Sequence, residues 1–172
     1  DLITQDAETD GVPTQSDSAS VSFANAFLNA ASADSAYGAD GPGSISISDY
    51  RISITSADSG LTSGGVPITL VPGDGPDSGV VLGLADGVEI FRITFDESGT
   101  LTLLQSAQVD HLGDGNDLQI ALGDGKVQLS ATATIIDSDG DPATALYTLD
   151  VGSNIKFDDD APVANSAEPI SL

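Results

Sequence analysis

Asp137-Ser138-Asp139-Gly140-Asp141 carries three carboxylates at alternating positions, with Gly140 among them and Pro142 after them. Asp side chains are short, hard oxygen donors, and they suit Ca2+, which takes six to eight oxygen ligands. Spacing by two lets the carboxylates converge once the chain turns, and glycine supplies the backbone freedom for that turn. Asp and Gly are also ordinary turn residues, so the same stretch reads equally well as a solvated loop between strands. It is not an EF-hand loop: the glycine falls too early, and Thr148 stands where the twelfth residue of that loop is Glu.

Other stretches offer similar donors. Asp158-Asp159-Asp160 places three carboxylates side by side before Ala161-Pro162. They repel one another, and the proline extends the chain, so a metal there would stiffen a joint. Gly113-Asp114-Gly115-Asn116-Asp117 has the G-x-G-x-D core of a calcium-binding nonapeptide. It occurs once, with Gln119 where a large apolar residue is needed, so no β-helix follows. Asp40, with Asp34 upstream, and Asp86 complete the candidates. The expected metal ligands are therefore Asp137, Asp139, Asp141, Asp158, Asp159, Asp160, Asp40, Asp114, Asn116 and Asp117.

Catalysis finds little support. The chain has one histidine, His111, next to Asp110, and no cysteine. No G-x-S-x-G elbow, phosphate loop or dinucleotide fingerprint is present. A lone histidine in a β domain reads as a structural hydrogen-bonder, and one His without Cys argues against zinc. The expectation is a protein that is not an enzyme. The four basic residues, Arg51, Arg92, Lys126 and Lys156, are too dispersed for a phosphate patch. With 27 acidic residues, only four of them Glu, the net charge is −23. That charge disfavours nucleic acid and anionic membrane as partners and destabilises the compact state unless counter-ions bind. Without disulfides, metal is the expected staple.

The elements that would position these residues are short strands. Ser44–Thr55 alternates strongly, and its phase slips by one after Asp49-Tyr50, which predicts a bulge. Further strands are predicted at 19–28, 66–71, 79–84, 88–95, 100–104, 118–122, 126–136 and 144–151, with a short helical turn at 29–36. Asp86-Gly87 and Gly123-Asp124-Gly125 read as hairpin turns. Long Gly-rich loops are expected at 56–65, 72–79 and 105–117. About nine short strands with Gly/Asp turns and no long helix predict an all-β antiparallel β-sandwich. Residues 1–18 read as a linker or incoming strand, 19–157 as the sandwich, and 158–172 as an exit linker. Both ends look like linker, so the chain is expected to be a piece of a longer one.

Several stretches, taken in order, resemble a known family. They are Tyr37-Gly38-Ala39-Asp40-Gly41-Pro42-Gly43-Ser44, Gly99-Thr100-Leu101-Thr102-Leu103, Asp110-His111, and Leu129–Thr134 running into Asp137–Thr144. The combination is similar to the repeat domain of giant type I-secreted RTX adhesins of Gram-negative bacteria, over residues 19–160. Asp159-Asp160-Ala161-Pro162 looks like the joints of such arrays. Leu104-Gln105-Ser106 is less aromatic than the pattern. The resemblance implies an extracellular position on the bacterial cell surface, calcium-dependent folding, and service in adhesion or biofilm formation beside neighbouring domains of a longer chain. No apolar run approaches the roughly 18 residues of a membrane helix, so no direct membrane insertion is expected. A ligand, plausibly a peptide or protein carboxylate or a glycan, would land on a loop Ca2+ near Tyr37, Gly38 and Asp40 or Gly113 and Asp114. The alternative is a passive extender rigidified by Ca2+.

Overall fold

The computed structural model describes residues 1–6, 16–73, 79–112 and 118–159. In chain order, β1 is Leu2–Gln5, β2 Asp17–Ser22, α1 Ala24–Asp34, β3 Pro42–Ile54, β4 Asp58–Ser63, β5 Val66–Pro72 and β6 Val80–Ala85. Then follow β7 Val88–Phe95, β8 Thr100–Gln105, β9 Gln119–Ala121, β10 Val127–Asp137, β11 Pro142–Asp150 and β12 Ile155–Asp158. The strands make a six-stranded antiparallel sheet, β2-β8-β7-β6-β5-β4, and a three-stranded one, β11-β10-β3. A second three-stranded sheet, β1-β12-β9, joins β1 to β12 in parallel. The fold is a sandwich-like all-β architecture, as the strand pattern predicts.

The core lies where inward residues of β3 and β10 meet those of the larger sheet. Ile52, Leu129 and Ala131 share one buried cluster with Leu70, Phe91, Ile93 and Leu103. Phe157 of β12 packs on Phe91 with ring centroids 5.0 Å apart. Tyr50 sits edge-on between Phe27 of α1 and Phe95 of β7, at 6.0 and 5.6 Å. Such edge-to-face pairs add stabilisation beyond the area they bury.

The predicted bulge in β3 is present. Ser48 pairs with Thr132 and Arg51 with Ser130, so Asp49 and Tyr50 together oppose Ala131. Asp49 adopts φ 52° there, and the offset turns Tyr50 into its aromatic contacts. The Asp86-Gly87 hairpin also forms, with φ 48° and 80°, the two positive values a type I′ turn requires.

Other expectations are corrected. The stretch 19–28 is not one strand: it changes to helix at Ala24. Alanine favours helix, and Phe27 and Ala31, four apart, form its buried face. Gly123-Asp124-Gly125 does not close a hairpin, because β9 pairs with β12 while β10 pairs with β3 and β11. The turn instead passes the chain between sheets. Its φ values are 85° at Gly123 and 71° at Gly125, and Asp150 Oδ2 accepts the Gly125 N–H. Residues 58–63, expected as loop, form β4. Its irregular pairing with β5 is repaired by Ser59, whose buried hydroxyl donates to the Ile68 carbonyl at 2.6 Å.

The first residues form β1. Leu2 and Thr4 are fully buried, and Leu2 belongs to the main core cluster. Leu2→Ala is therefore expected to lower stability by about 2–5 kcal/mol, the range for truncating a buried leucine. Urea unfolding would measure it; a linker residue would show no change.

Candidate functional site

The turn from β10 to β11 is built on Asp137. Its Oδ1 accepts the backbone N–H of Asp141 at 2.8 Å and of Gly140 at 3.1 Å, and Gly140 takes φ 101°. The start of β3 lies beside this turn, since Asp137 is in register with Pro42. Gly43 is required at this crossing: a Cβ there would stand 2.3 Å from the Ile136 carbonyl oxygen. Ser138 fastens the two segments, its N–H donating to the Gly41 carbonyl and its hydroxyl to the Asp40 carbonyl.

The result is a cluster of three carboxylates. One oxygen from each of Asp40, Asp137 and Asp139 lies within 4.8 Å of the others. Asp137 is held below the ordinary carboxylate range, first by its hydrogen-bonding contact with the Asp139 side chain and then by the Asp141 N–H. Oxygens no more than 4.8 Å apart can share one ion at Ca–O bonds of 2.3–2.6 Å. One carboxylate oxygen from each of Asp40, Asp137 and Asp139 could ligate a shared hard cation.

Asp40 thus joins Asp137 and Asp139 rather than Asp34. Asp141 is exposed and outside this cluster; it contributes its N–H to the turn. Tyr37 is half-buried and Gly38, at φ 68°, opens the single 3-10 turn that ends in Asp40. The expected ligand loop and the expected metal turn are therefore one place. The triple 158–160 is divided by strand alternation. Asp158 accepts from the Gln119 side chain at 2.7 Å, while Asp159 falls beside Asp6 and His111. Asp160, Gly113, Asp114, Asn116 and Asp117 lie outside the described residues.

The Asp6–His111–Asp159 group escaped the sequence reading. Asp6 sits in a polar, acidic stretch, and only the pairing of β1 with β12 brings it beside Asp159. Its Oδ1 accepts from the side-chain amide of Gln105 and from the Val109 N–H, while Gln105 accepts the Thr4 hydroxyl at 2.7 Å. Gln105 is fully buried. Burial pushes the Asp6 carboxyl up, against the pull of the Val109 and Gln105 hydrogen bonds. Asp110 is not directed to His111. It binds the β4–β5 turn, taking the Thr62 hydroxyl and Gly65 N–H at 2.7 Å each and the Gly64 N–H at 2.8 Å. A concavity of about 810 Å³ beside the β3 bulge, lined in part by Tyr50, Arg51, Asp96 and Glu97, includes no member of either cluster.

The chain belongs to a family described as a domain of unknown function, DUF5801, whose profile matches residues 3–152. No curated protein and no solved structure matches it. Among the described residues, no helix is long and apolar enough to cross a membrane.

The Thr62 hydroxyl first, and then the turn amides, hold the Asp110 carboxyl below its ordinary value. A carboxyl with a lowered folded-state pKa stabilises the fold above its unfolded-state value, and that stabilisation is lost as pH falls through the folded-state value. Asp110→Ala is expected to be less stable than the parent at pH 7, with the difference shrinking below about pH 4. Urea melts of both proteins across that range measure it.

Proposed function

We propose that this chain is a Ca2+-dependent adhesin module of a bacterial cell surface, serving cell adhesion or biofilm formation as one domain of a longer type I-secreted protein. The observation that carries this reading is the convergence of Asp40, Asp137 and Asp139, from segments nearly a hundred residues apart, beside Tyr37 and Gly38. Bound there, Ca2+ would supply the positive charge that lets an anionic ligand approach. A peptide or protein carboxylate would otherwise meet a surface of net charge −23. The chain's own residues hold the ion and fix the loop that follows Tyr37.

A second reading, a passive extender rigidified by Ca2+, is favoured by the parallel pairing of β1 and β12. One strand starts at one end of the pair and the other finishes at the opposite end, which suits head-to-tail arrays.

An ion bound only by the folded state stabilises it by about 2.7 kcal/mol at a hundred times its Kd. Millimolar Ca2+ is expected to raise the melting temperature of the chelator-treated chain, and Asp139→Asn to remove most of that rise. An identical melting temperature with and without Ca2+ overturns the metal reading. Titration with carboxyl-terminal peptides and sugars in Ca2+ then separates the two readings, since an extender binds none of them.

A further inference from the structure

We propose that Asp6, His111 and Asp159 bind a divalent transition-metal ion of the Zn2+ type, at a site independent of the Ca2+ reading above. The argument starts from the imidazole. His111 Nε2 lies 3.0 Å from the Phe157 carbonyl oxygen. A carbonyl only accepts, so Nε2 carries a hydrogen, and Nδ1 is the ring nitrogen open to a metal ion. Nδ1 points at Asp6 Oδ2 across 3.8 Å, too far for a hydrogen bond. The His111 and Asp6 side chains are only 4% and 7% exposed, so water screens little of the contact.

Asp159 sharpens the conflict. Gln5 pairs with Asp158 in parallel, and the Asp6 N–H donates to the Asp158 carbonyl at 3.1 Å, so Asp6 and Asp159 follow as neighbours. A carboxylate oxygen of each lies within 4.8 Å of the other and of the imidazole nitrogen. Two carboxylates meeting at an imidazole, with the Asp6 and His111 side chains nearly buried, call for positive charge among them, which a metal ion supplies.

The surroundings match what a bound metal needs. A separation of 3.8 Å admits an ion bonded to both atoms at about 2.0–2.2 Å. The Nε2–H bond to Phe157 fixes tautomer and ring orientation, as the outer hydrogen bond of a metal-ligating histidine does. Gln105 and Val109 orient Asp6 through Oδ1, and Oδ2 is the oxygen that lies 3.8 Å from the imidazole Nδ1. The nitrogen donor sets the ion class, because Ca2+ takes oxygen ligands whereas imidazole suits zinc and its neighbours. The site would clamp the ends of β1 and β12 to the segment after β8.

His111 is the single histidine, so its imidazole nitrogens give unambiguous 15N resonances. After chelation, one equivalent of Zn2+ is expected to shift Nδ1 and leave the Nε2–H in place, while Ca2+ leaves Nδ1 unmoved. Asp139→Asn should not alter the Zn2+ response, which keeps this test separate from that of the Ca2+ site. A proton found on Nδ1 in the presence of Zn2+ overturns the proposal, because the imidazolium then supplies the positive charge. An unmoved Nδ1, or an equal shift with Ca2+, also overturns it. His111→Gln and Asp159→Asn should each weaken Zn2+ binding at least about 10–100-fold, the loss typical of removing even an outer hydrogen bond. Unchanged affinity in either variant overturns the assignment; should a variant fail to fold, the unmutated chain's resonances decide.

Discussion

The structure depends on carboxylates finding backbone amides. A chain with net charge −23 repels itself, and its four basic residues are too few to compensate. Much of the burden falls on turns. Asp58, Asp96, Asp110, Asp137 and Asp150 each accept a backbone N–H within a tight turn or close to one. An ionised acceptor makes a stronger hydrogen bond than a neutral one. The charge that strains the fold as a whole therefore stabilises each turn locally, and Asp does this better than Glu because its side chain is short enough to reach its own turn. The dominance of Asp over Glu has a structural cause as well as a proposed metal-binding one.

The turns matter because the sheets are joined over long sequence separations. β3 pairs with β10 and β1 with β12, so the larger three-stranded sheet and the end sheet exist only when distant segments arrive in register. The β3 bulge shows the coupling between sheet and core. It lengthens one strand by a residue, and Tyr50 is thereby placed between the helix and the six-stranded sheet. The Gly123–Gly125 turn is another junction, passing the chain from the end sheet to β10.

Two polar groups lie at different depths on this scaffold. Asp40, Asp137 and Asp139 meet near the surface at the β10–β11 turn, where oxygen donors alone converge and water is at hand. Asp6, His111 and Asp159 meet where two of the side chains are buried and a nitrogen is included. The proposed Ca2+ site is thus all-oxygen and near the surface, and the proposed Zn2+ site includes a nitrogen and two buried side chains.

The sequence by itself determined the all-β class, the β3 bulge and the Asp86-Gly87 hairpin. Alternation, a slip in its phase and a turn dipeptide are local signals. It also singled out Asp137, Asp139 and Asp40 as oxygen donors, because residue type and spacing are local too. Only the tertiary structure decided which of them meet. Asp40 reaches the turn because Pro42 is in register with Asp137, a pairing across most of the chain that no short spacing records. At the end of β12, Asp158 and Asp159 go to different partners, although as adjacent letters they looked like one ligand set. The helix at Ala24 and the strand at Asp58 were obscured because polar and small residues there take their conformation from burial of Phe27, Ala31, Ser59 and Leu61 against other elements. Asp6 and His111 read separately as an acidic stretch and a lone histidine. They come together through the parallel pairing of β1 and β12, and parallel pairing of strands distant in sequence is a property of the folded chain alone.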